Sequence, residues 1–459
     1  MAPNLKGKHV LVLGLGIHGG GVAVTRWLVK QGAAVTVSDI QSSRQLKPSL
    51  RKLIGLPVTY HLGAKPATQL MVGCDFIVQN PAVPGELPFI KLARKRGIPI
   101  ENEASLFLKF CPSSFVIGIT GSKGKSTTTS LVGSILKRKY KDTIVAGNIR
   151  DTVMFDALPH VKSNTPVVLE LSSWHLEIVG QQKIRLPISI ITNVTPEHLN
   201  RYKSFNDYAR AKKQIISHQG ASDIAILNYD NPVTRKFGSG VKSQVYWFSG
   251  VKQVPRGAYL KGGYVWWSDK GTIKKIFPRS IIGLPGAHNL QNVLAATVAA
   301  IIAVVDLPRI RGAVHSFKGL HDRLEEIKKI NGVSYINDTA STAPQAACAA
   351  LKALSPKPIV IIAGGVDKKL NYQEMAQSIR KYAQTAVLLP GTATAKLQHE
   401  LGSYKPQVLV NTMAQAVKLA SKFVPRGGVV LLSPGAASFN LFKHEFHRGQ
   451  EFRRAVNKL

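Results

Sequence analysis

The residues best suited to chemistry lie in the stretch 115–128. An apolar run there ends in Gly121, Ser122, Lys123 and Gly124, and Lys125, Ser126 and Thr127 then open a segment of helical period. A strand, a glycine turn and a helix start together make a phosphate cradle. Glycines let backbone N–H groups close around phosphate oxygens, and the helix N-terminus adds partial positive charge. Lys125 would neutralise β- and γ-oxygens, and Ser126 or Thr127 would ligate Mg²⁺. The strict G-x-x-x-x-G-K-[ST] spacing is not met, because Ile119 stands at the first glycine position and Gly118 lies one residue early. The stretch still predicts a nucleoside-triphosphate site.

An acid in an apolar run adds to this. Residues 167–173 read as a buried parallel strand interrupted by Glu170. A lone buried carboxylate is costly unless it is paired or metal-bound. Beside a polyphosphate the simplest partner is Mg²⁺, so Glu170 is a metal-ligand candidate. His198 follows a second buried run, 188–192, and so stands at the same sheet edge, beside the same metal and phosphates. The predicted helix 204–217 carries the pair Lys212 and Lys213, and spacing does not choose between them.

A second phosphate-type turn precedes these. After the apolar run 9–13 come Gly14, Leu15, Gly16, Ile17, His18 and Gly19, matching G-x-G-x-x-G between a strand and a helix. The next strand, 33–38, leads to Asp39, where a dinucleotide fold has its ribose-binding acid; a helix or turn cap is the alternative. Alone, this turn would suggest NAD. The unit stops after about 100 residues without a second mononucleotide half, and an independent phosphate loop follows at once. A domain gripping the diphosphate of a nucleotide-linked substrate accounts for both facts. Asn80 opens a loop at the C-terminal end of another strand, where α/β ligands bind.

The elements that must position these residues read as α/β throughout. At 459 residues with 44% apolar content, the chain predicts three domains: a Rossmann-like 1–103, a central phosphate-loop domain 104–319 with a mostly parallel sheet, and a Rossmann-like 320–459. Within the second, 240–280 reads as β-hairpins on the core, with their aromatics packing. The apolar run 293–305 is too short to span a bilayer and reads as a buried helix. Cys74, Cys111 and Cys348 are too few and scattered for a disulfide framework or a zinc site. The start of the chain leads into a strand with no signal-peptide core, which predicts a cytoplasmic protein. Lys and Arg number 61 against 25 acids, a formal +36 that would attract anionic ligands. The basic clusters fall near predicted helix C-termini, and no nucleic-acid-binding signature accompanies them, so a solvated surface is preferred to a nucleic-acid site.

The whole set of motifs resembles the Mur ligases. It comprises the turn 13–19, the phosphate loop, the segments 170–177 and 193–198, Gly286 to Asn292, Gly319 to Glu325, and Ile336 to Thr339. The resemblance implies an ATP-dependent amide ligase that joins D-glutamate to UDP-N-acetylmuramoyl-L-alanine through an acyl phosphate; a sibling adding L-glutamate or another amino acid is the alternative. A nucleic-acid-binding phosphate-loop NTPase is a more distant one. By resemblance, Lys125 and Ser126 hold ATP phosphates and Mg²⁺, Glu170 the same ion and His198 a second. Lys212 falls where the family carries a CO₂-carbamylated lysine. Asn289 would contact adenine, Asp338 the ATP ribose and Arg323 the transferring phosphate, once the third domain closes. Asn148 would join Gly14, Leu15, Gly16, Ile17, His18, Asp39 and Asn80 in holding the UDP-linked substrate. Thr342, Lys368, Ser438 and Phe439 would receive the amino acid. A monomer with ATP and two Mg²⁺ ions is implied. Arg150, Ala340, Ala343 and Glu445 depart from the family pattern.

Overall fold

The computed structural model describes residues 5–17, 19–149, 152–198, 201–404, 406–438 and 441–459. His18, Arg150 and Phe439, singled out above, lie outside the described residues. Three sheets follow one another along the chain. The first contains β1 (His9–Leu13), β2 (Ala34–Asp39), β3 (Val58–Leu62), β4 (Phe76–Gln79) and β5 (Ile100–Glu101), all parallel, in the order β3-β2-β1-β4-β5.

The second sheet starts with β6 (Val116–Thr120), β7 (Ile144–Gly147), β8 (Val167–Glu170), β9 (Ile188–Ile191) and β10 (Ile224–Asn228). It goes on through β11 (Gln244–Ser249), β12 (Gly257–Lys261), β13 (Tyr264–Asp269) and β14 (Thr272–Pro278). The order is β14-β13-β12-β11-β10-β9-β6-β8-β7, so the phosphate-loop strand β6 lies between β9, which leads toward His198, and β8, which ends in Glu170. Two expectations change here. Hairpins do form within residues 240–280, β12–β13 and β13–β14, but they are not laid on the core: β11 pairs parallel with β10 and β12, and the antiparallel meander β12 to β14 prolongs the same sheet. Glu170 does not interrupt a strand but ends one, because Ser172 accepts from the His175 amide and caps the helix Ser173–Gln181.

The third sheet comprises β15 (Glu325–Ile330), β16 (Val333–Asn337), β17 (Ile359–Ala363), β18 (Ala383–Leu388), β19 (Gln407–Leu409) and β20 (Val429–Leu432). Its order is β15-β16-β20-β17-β18-β19, parallel apart from the β15–β16 pair. Along β17, Ile359, Ile361 and Ala363 join one apolar cluster, whereas Val360 and Ile362 join another. A continuous apolar run buried on both faces is the signature of a central parallel strand.

The chain forms two compact units, Met1–Ile281 with Gln291–His315, and Ile282–Leu290 with Ser316–Leu459. Within the first, the first two sheets share a core. Trp27 of the helix Gly20–Lys30 sits 5.0 Å from Phe110 and 4.8 Å from Phe155, centroid to centroid. Arg26 pairs with Asp156 at 2.7 Å, and Asn102 Nδ2 donates to His175 O at 3.0 Å. Among the described residues no helix is long and apolar enough to cross a membrane.

Trp27 is therefore the aromatic bolt between the first two sheets. Trp27→Ala should cost about 3–5 kcal/mol, by lost burial and an unfilled cavity. Denaturant unfolding checks it, and a loss below about 1 kcal/mol would show that the shared core does not depend on this ring.

Candidate active site

The site is built where β6 ends. Gly121 takes a φ of +150°, and a Cβ there would lie 1.8 Å from Thr192 Oγ1, so only glycine lets the loop press against the end of β9. Ser122 N donates to Asn193 O at 2.8 Å, Lys123 N to Asn193 Oδ1 at 3.0 Å, and Thr192 Oγ1 to Lys123 O at 2.6 Å. Gly124, in the left-handed conformation, then starts the helix Lys125–Lys137, whose first turn carries Ser126 and Thr127. The loop is thus strapped to its neighbour strand, and its amides come to a helix N-terminus, the geometry that favours an anion.

Three basic groups gather around this loop. Lys125 Nζ donates to Gly121 O at 2.9 Å and to Ser122 O at 3.0 Å. Lys212, on the helix Phe205–Ser217, donates to the same Gly121 O at 2.8 Å and is 1% exposed. Burial, with Lys125 nearby, pulls the Lys212 ammonium down to about 6, so at neutral pH it is an uncharged amine. That geometry picks Lys212 from its pair: Lys213 lies over the Phe237 ring at 5.8 Å instead. Lys123 pairs with Glu197 at 2.6 Å. Burial alone would raise the Glu197 carboxyl, but Lys123, with Lys125 and His198, outweighs it and the net shift is downward.

Glu170 and Asn148 meet at the adjoining strand ends. Glu170 is 1% exposed and accepts from Asn148 Nδ2 at 3.2 Å, while Asn148 N donates to Glu170 O at 2.8 Å. His198 holds a φ of +57°, a conformation uncommon for a non-glycine residue and typical of functional sites. Its ring lies 5.7 Å from Trp174 and 5.9 Å from Tyr208. Partial burial, then the neighbouring lysines, lower its pKa against the pull of Glu197, which favours the neutral, ligating form. A carboxylate, helix-start hydroxyls and a neutral imidazole at one sheet edge are donors that suit a hard divalent cation next to phosphate.

Several supporting residues were not visible as such in the sequence. Tyr208 is fully buried, and its hydroxyl lies 3.0 Å from Ser122 Oγ and 3.4 Å from Glu197 Oε2. It stands one helical turn before Lys212, and Lys212 Nζ is 4.7 Å from its ring. That i,i+4 spacing was the available signal. Asn292 backs the loop from behind: a Cβ on Gly124 would lie 2.2 Å from its Oδ1.

The first sheet presents a second cluster. Gly14 lies so close to Asn80 that a Cβ would come within 2.8 Å of the Asn80 Cβ, and Gly16 is the next neighbour of that side chain. Asp39 Oδ2 accepts from Leu15 N at 2.8 Å and Gly16 N at 3.1 Å, and Oδ1 from Gln41 N at 2.9 Å. The acid therefore caps the glycine turn. Ile17 is 55% exposed at the rim. Gly14, Leu15, Gly16, Asp39 and Asn80 come together, whereas Asn148 belongs with Glu170.

In the second compact unit, Asp338 is buried and its carboxylate accepts from Leu324 N at 3.1 Å, Ser433 Oγ at 2.8 Å and the Ser341 hydroxyl. Burial raises it to about 6 against those bonds. It thus organises the exposed Arg323 loop rather than facing outward. Lys368 Nζ donates to Thr342 Oγ1 at 3.3 Å, and Ser438 is 1% exposed. Asn289 donates through Nδ2 to Pro285 O at 2.7 Å.

Comparison with known proteins fits this geometry. The description "Mur ligase MurD-like, N-terminal domain" matches residues 8–102, "Mur ligase middle domain" 119–300 and "Mur ligase, glutamate ligase domain" 322–435. A UDP-N-acetylmuramoylalanine–D-glutamate ligase of a Roseiflexus species is 42% identical, the match covering 99% of this chain and 100% of that protein. The enzyme of the same name from Koribacter versatilis is 39% identical over 99% and 98%. Among solved structures, UDP-N-acetylmuramate-alanine ligase from Thermotoga maritima shares the fold with a TM-score of 0.63 at 22% identity, covering 98% of this chain and 99% of that one. With its lysine-flanked phosphate loop and buried strand-end acid, the chain belongs to the Mur ligase family.

Proposed function

We propose that this chain is an ATP- and Mg²⁺-dependent ligase that adds D-glutamate to UDP-N-acetylmuramoyl-L-alanine. The observation that carries the chemistry is the loop 121–126, held by Lys125 and Lys212 beside the buried Glu170. The identity of the substrates rests on the names of the relatives. We assign the UDP-linked substrate to 1–103, ATP to 104–319 and the amino acid to 320–459.

In this reading a carboxylate oxygen of the L-alanine end attacks the γ-phosphorus and the bond to ADP breaks, giving an acyl phosphate. The neutral amine of D-glutamate then attacks the acyl carbon, inorganic phosphate leaves, and the amine loses a proton as the amide forms. Phosphoryl transfer of this kind asks mainly for position and charge cancellation. Lys125 and the loop amides bind and orient the polyphosphate, and Arg323 neutralises the phosphoryl group in transfer. Bound Mg²⁺, held by Ser126, Glu170, His198 and a carbamylated Lys212, would supply further charge neutralisation. Lys212 as a neutral, buried amine is the form that adds CO₂: nitrogen bonds the carbon and releases a proton, turning an uncharged amine into an anionic oxygen ligand. Thr342, Lys368 and Ser438 receive the carboxylates of the amino acid, with Lys368 as the counter-charge.

Phosphate release with UDP-N-acetylmuramoyl-L-alanine, ATP and a series of amino acids tests the function. D-Glutamate should be strongly preferred; release only with another amino acid would overturn the substrate assignment, and no release at all would overturn the ligase. Lys125→Ala should lower kcat by about a thousand-fold or more, since it removes a charge-neutralising donor. For Lys212, ¹³CO₂ should give a carbamate carbon resonance at about pH 8 that is missing in Lys212→Arg. Because the amine protonates as pH falls through about 6, the resonance should fade there. A wild-type spectrum identical to that of Lys212→Arg would remove carbamylation from the mechanism.

A further inference from the structure

A buried cation in the second compact unit has no part in the chemistry above. Arg448, on the helix Glu445–Asn457, is 1% exposed. Its Nε donates to Thr339 Oγ1 at 3.0 Å, its Nη2 to Thr339 O at 3.0 Å and its Nη1 to Ala436 O at 3.1 Å. All three acceptors are neutral. Burial lowers its pKa to about 10, with Glu445 pushing the other way, so the guanidinium keeps its charge at neutral pH.

What the fork joins is specific. Thr339 begins the loop that leads to Thr342, and Ala436 lies two residues before Ser438. The two loops are tied further along by Gly435 N donating to Ser341 O at 2.9 Å. Ala437 and Val366 exchange backbone bonds at 2.8 and 3.1 Å, which brings in the loop of Lys368. The Ser438 hydroxyl is buried with no hydrogen-bond partner among the described residues. Leaving such a group unpaired is unfavourable, and a bound ligand would supply its partner.

We propose that Arg448 is a positioning residue for the amino-acid substrate, its planar fork setting the spacing of the 339–342 and 436–438 loops so that Thr342, Lys368 and Ser438 act on one ligand. This rests on the amino-acid reading of those three residues. Only a guanidinium reaches both loops in one plane; an ammonium in its place would hold one of them. The buried charge also favours an amino acid that carries an extra carboxylate.

Steady-state kinetics of the full chain, with each of the three substrates varied in turn, tests this. Arg448→Met should raise KM for D-glutamate about ten-fold or more, with KM for ATP and for UDP-N-acetylmuramoyl-L-alanine within about two-fold. Arg448→Lys should recover part of the loss. Thermal melts identify variants that fold. A folded variant with unchanged KM for D-glutamate, or with all three KM values raised alike, overturns the proposal. If Arg448→Met does not fold, Arg448→Lys is judged by the same criterion, and failing that Thr339→Val, which removes the acceptor of Nε. Ser438→Ala and Lys368→Met separate the two readings. If neither raises KM for D-glutamate, the amino-acid site itself is misplaced; if they do and the Arg448 variants do not, the positioning role alone fails.

Discussion

One carbonyl oxygen, that of Gly121, accepts from two lysines, and the rest of the phosphate loop depends on that arrangement. Two ammonium groups on one acceptor repel each other, and in a buried setting the repulsion is little screened. Burial first, and this repulsion second, make the more buried amine neutral. Lys125 keeps its place at the start of a helix, while Lys212, sealed against Tyr208, gives up its proton near pH 6. The loop can then gather strong positive potential for a polyphosphate without a second full charge beneath it. Lys123 is held apart by Glu197, so its charge is balanced locally.

The same rule, that a buried polar group must be answered by a specific partner, shapes the other two sheets. Asp39 meets the amides of Leu15 and Gly16, and Asp338 meets two serine hydroxyls and the Leu324 amide. Asp322 accepts from Asn337 Nδ2 at 2.8 Å close to the Arg448 fork. Networks of this kind fix loop geometry more tightly than apolar packing does, because a half-satisfied one is costly. The loops that carry the candidate residues are thereby pinned at strand ends, where α/β folds bind ligands.

The excess positive charge has a different character. Arg94 and Lys95 close the helix Pro88–Lys95, and Lys137 closes the helix Lys125–Lys137, positions where a cation complements the helix dipole. Lys275 rests on the Tyr264 ring at 3.4 Å along the edge strand β14, where charge discourages edge-to-edge pairing. Much of the +36 is therefore solvated surface, and its chemical effect is a general field that draws anionic substrates.

Local pattern was enough for the α/β class, for the glycine turns and for the apolar runs that lead to Glu170 and His198, because these depend on residue type, period and turn chemistry within a few positions; that Glu170 ends its strand was decided by the Ser172 cap. Other features were settled by contacts between distant segments. Whether the hairpins of 240–280 lay on the core or extended its sheet depended on β11 finding β10 as a parallel neighbour. That Asp39 caps the glycine turn depended on amides 23 and 24 residues away. The choice of Lys212 over Lys213 turned on which helix face was buried, and that side is set by the strands beneath it. Arg448 shows the limit most plainly. In the sequence it is one of 61 basic residues, and only folding buries it across 109 residues of chain against Thr339.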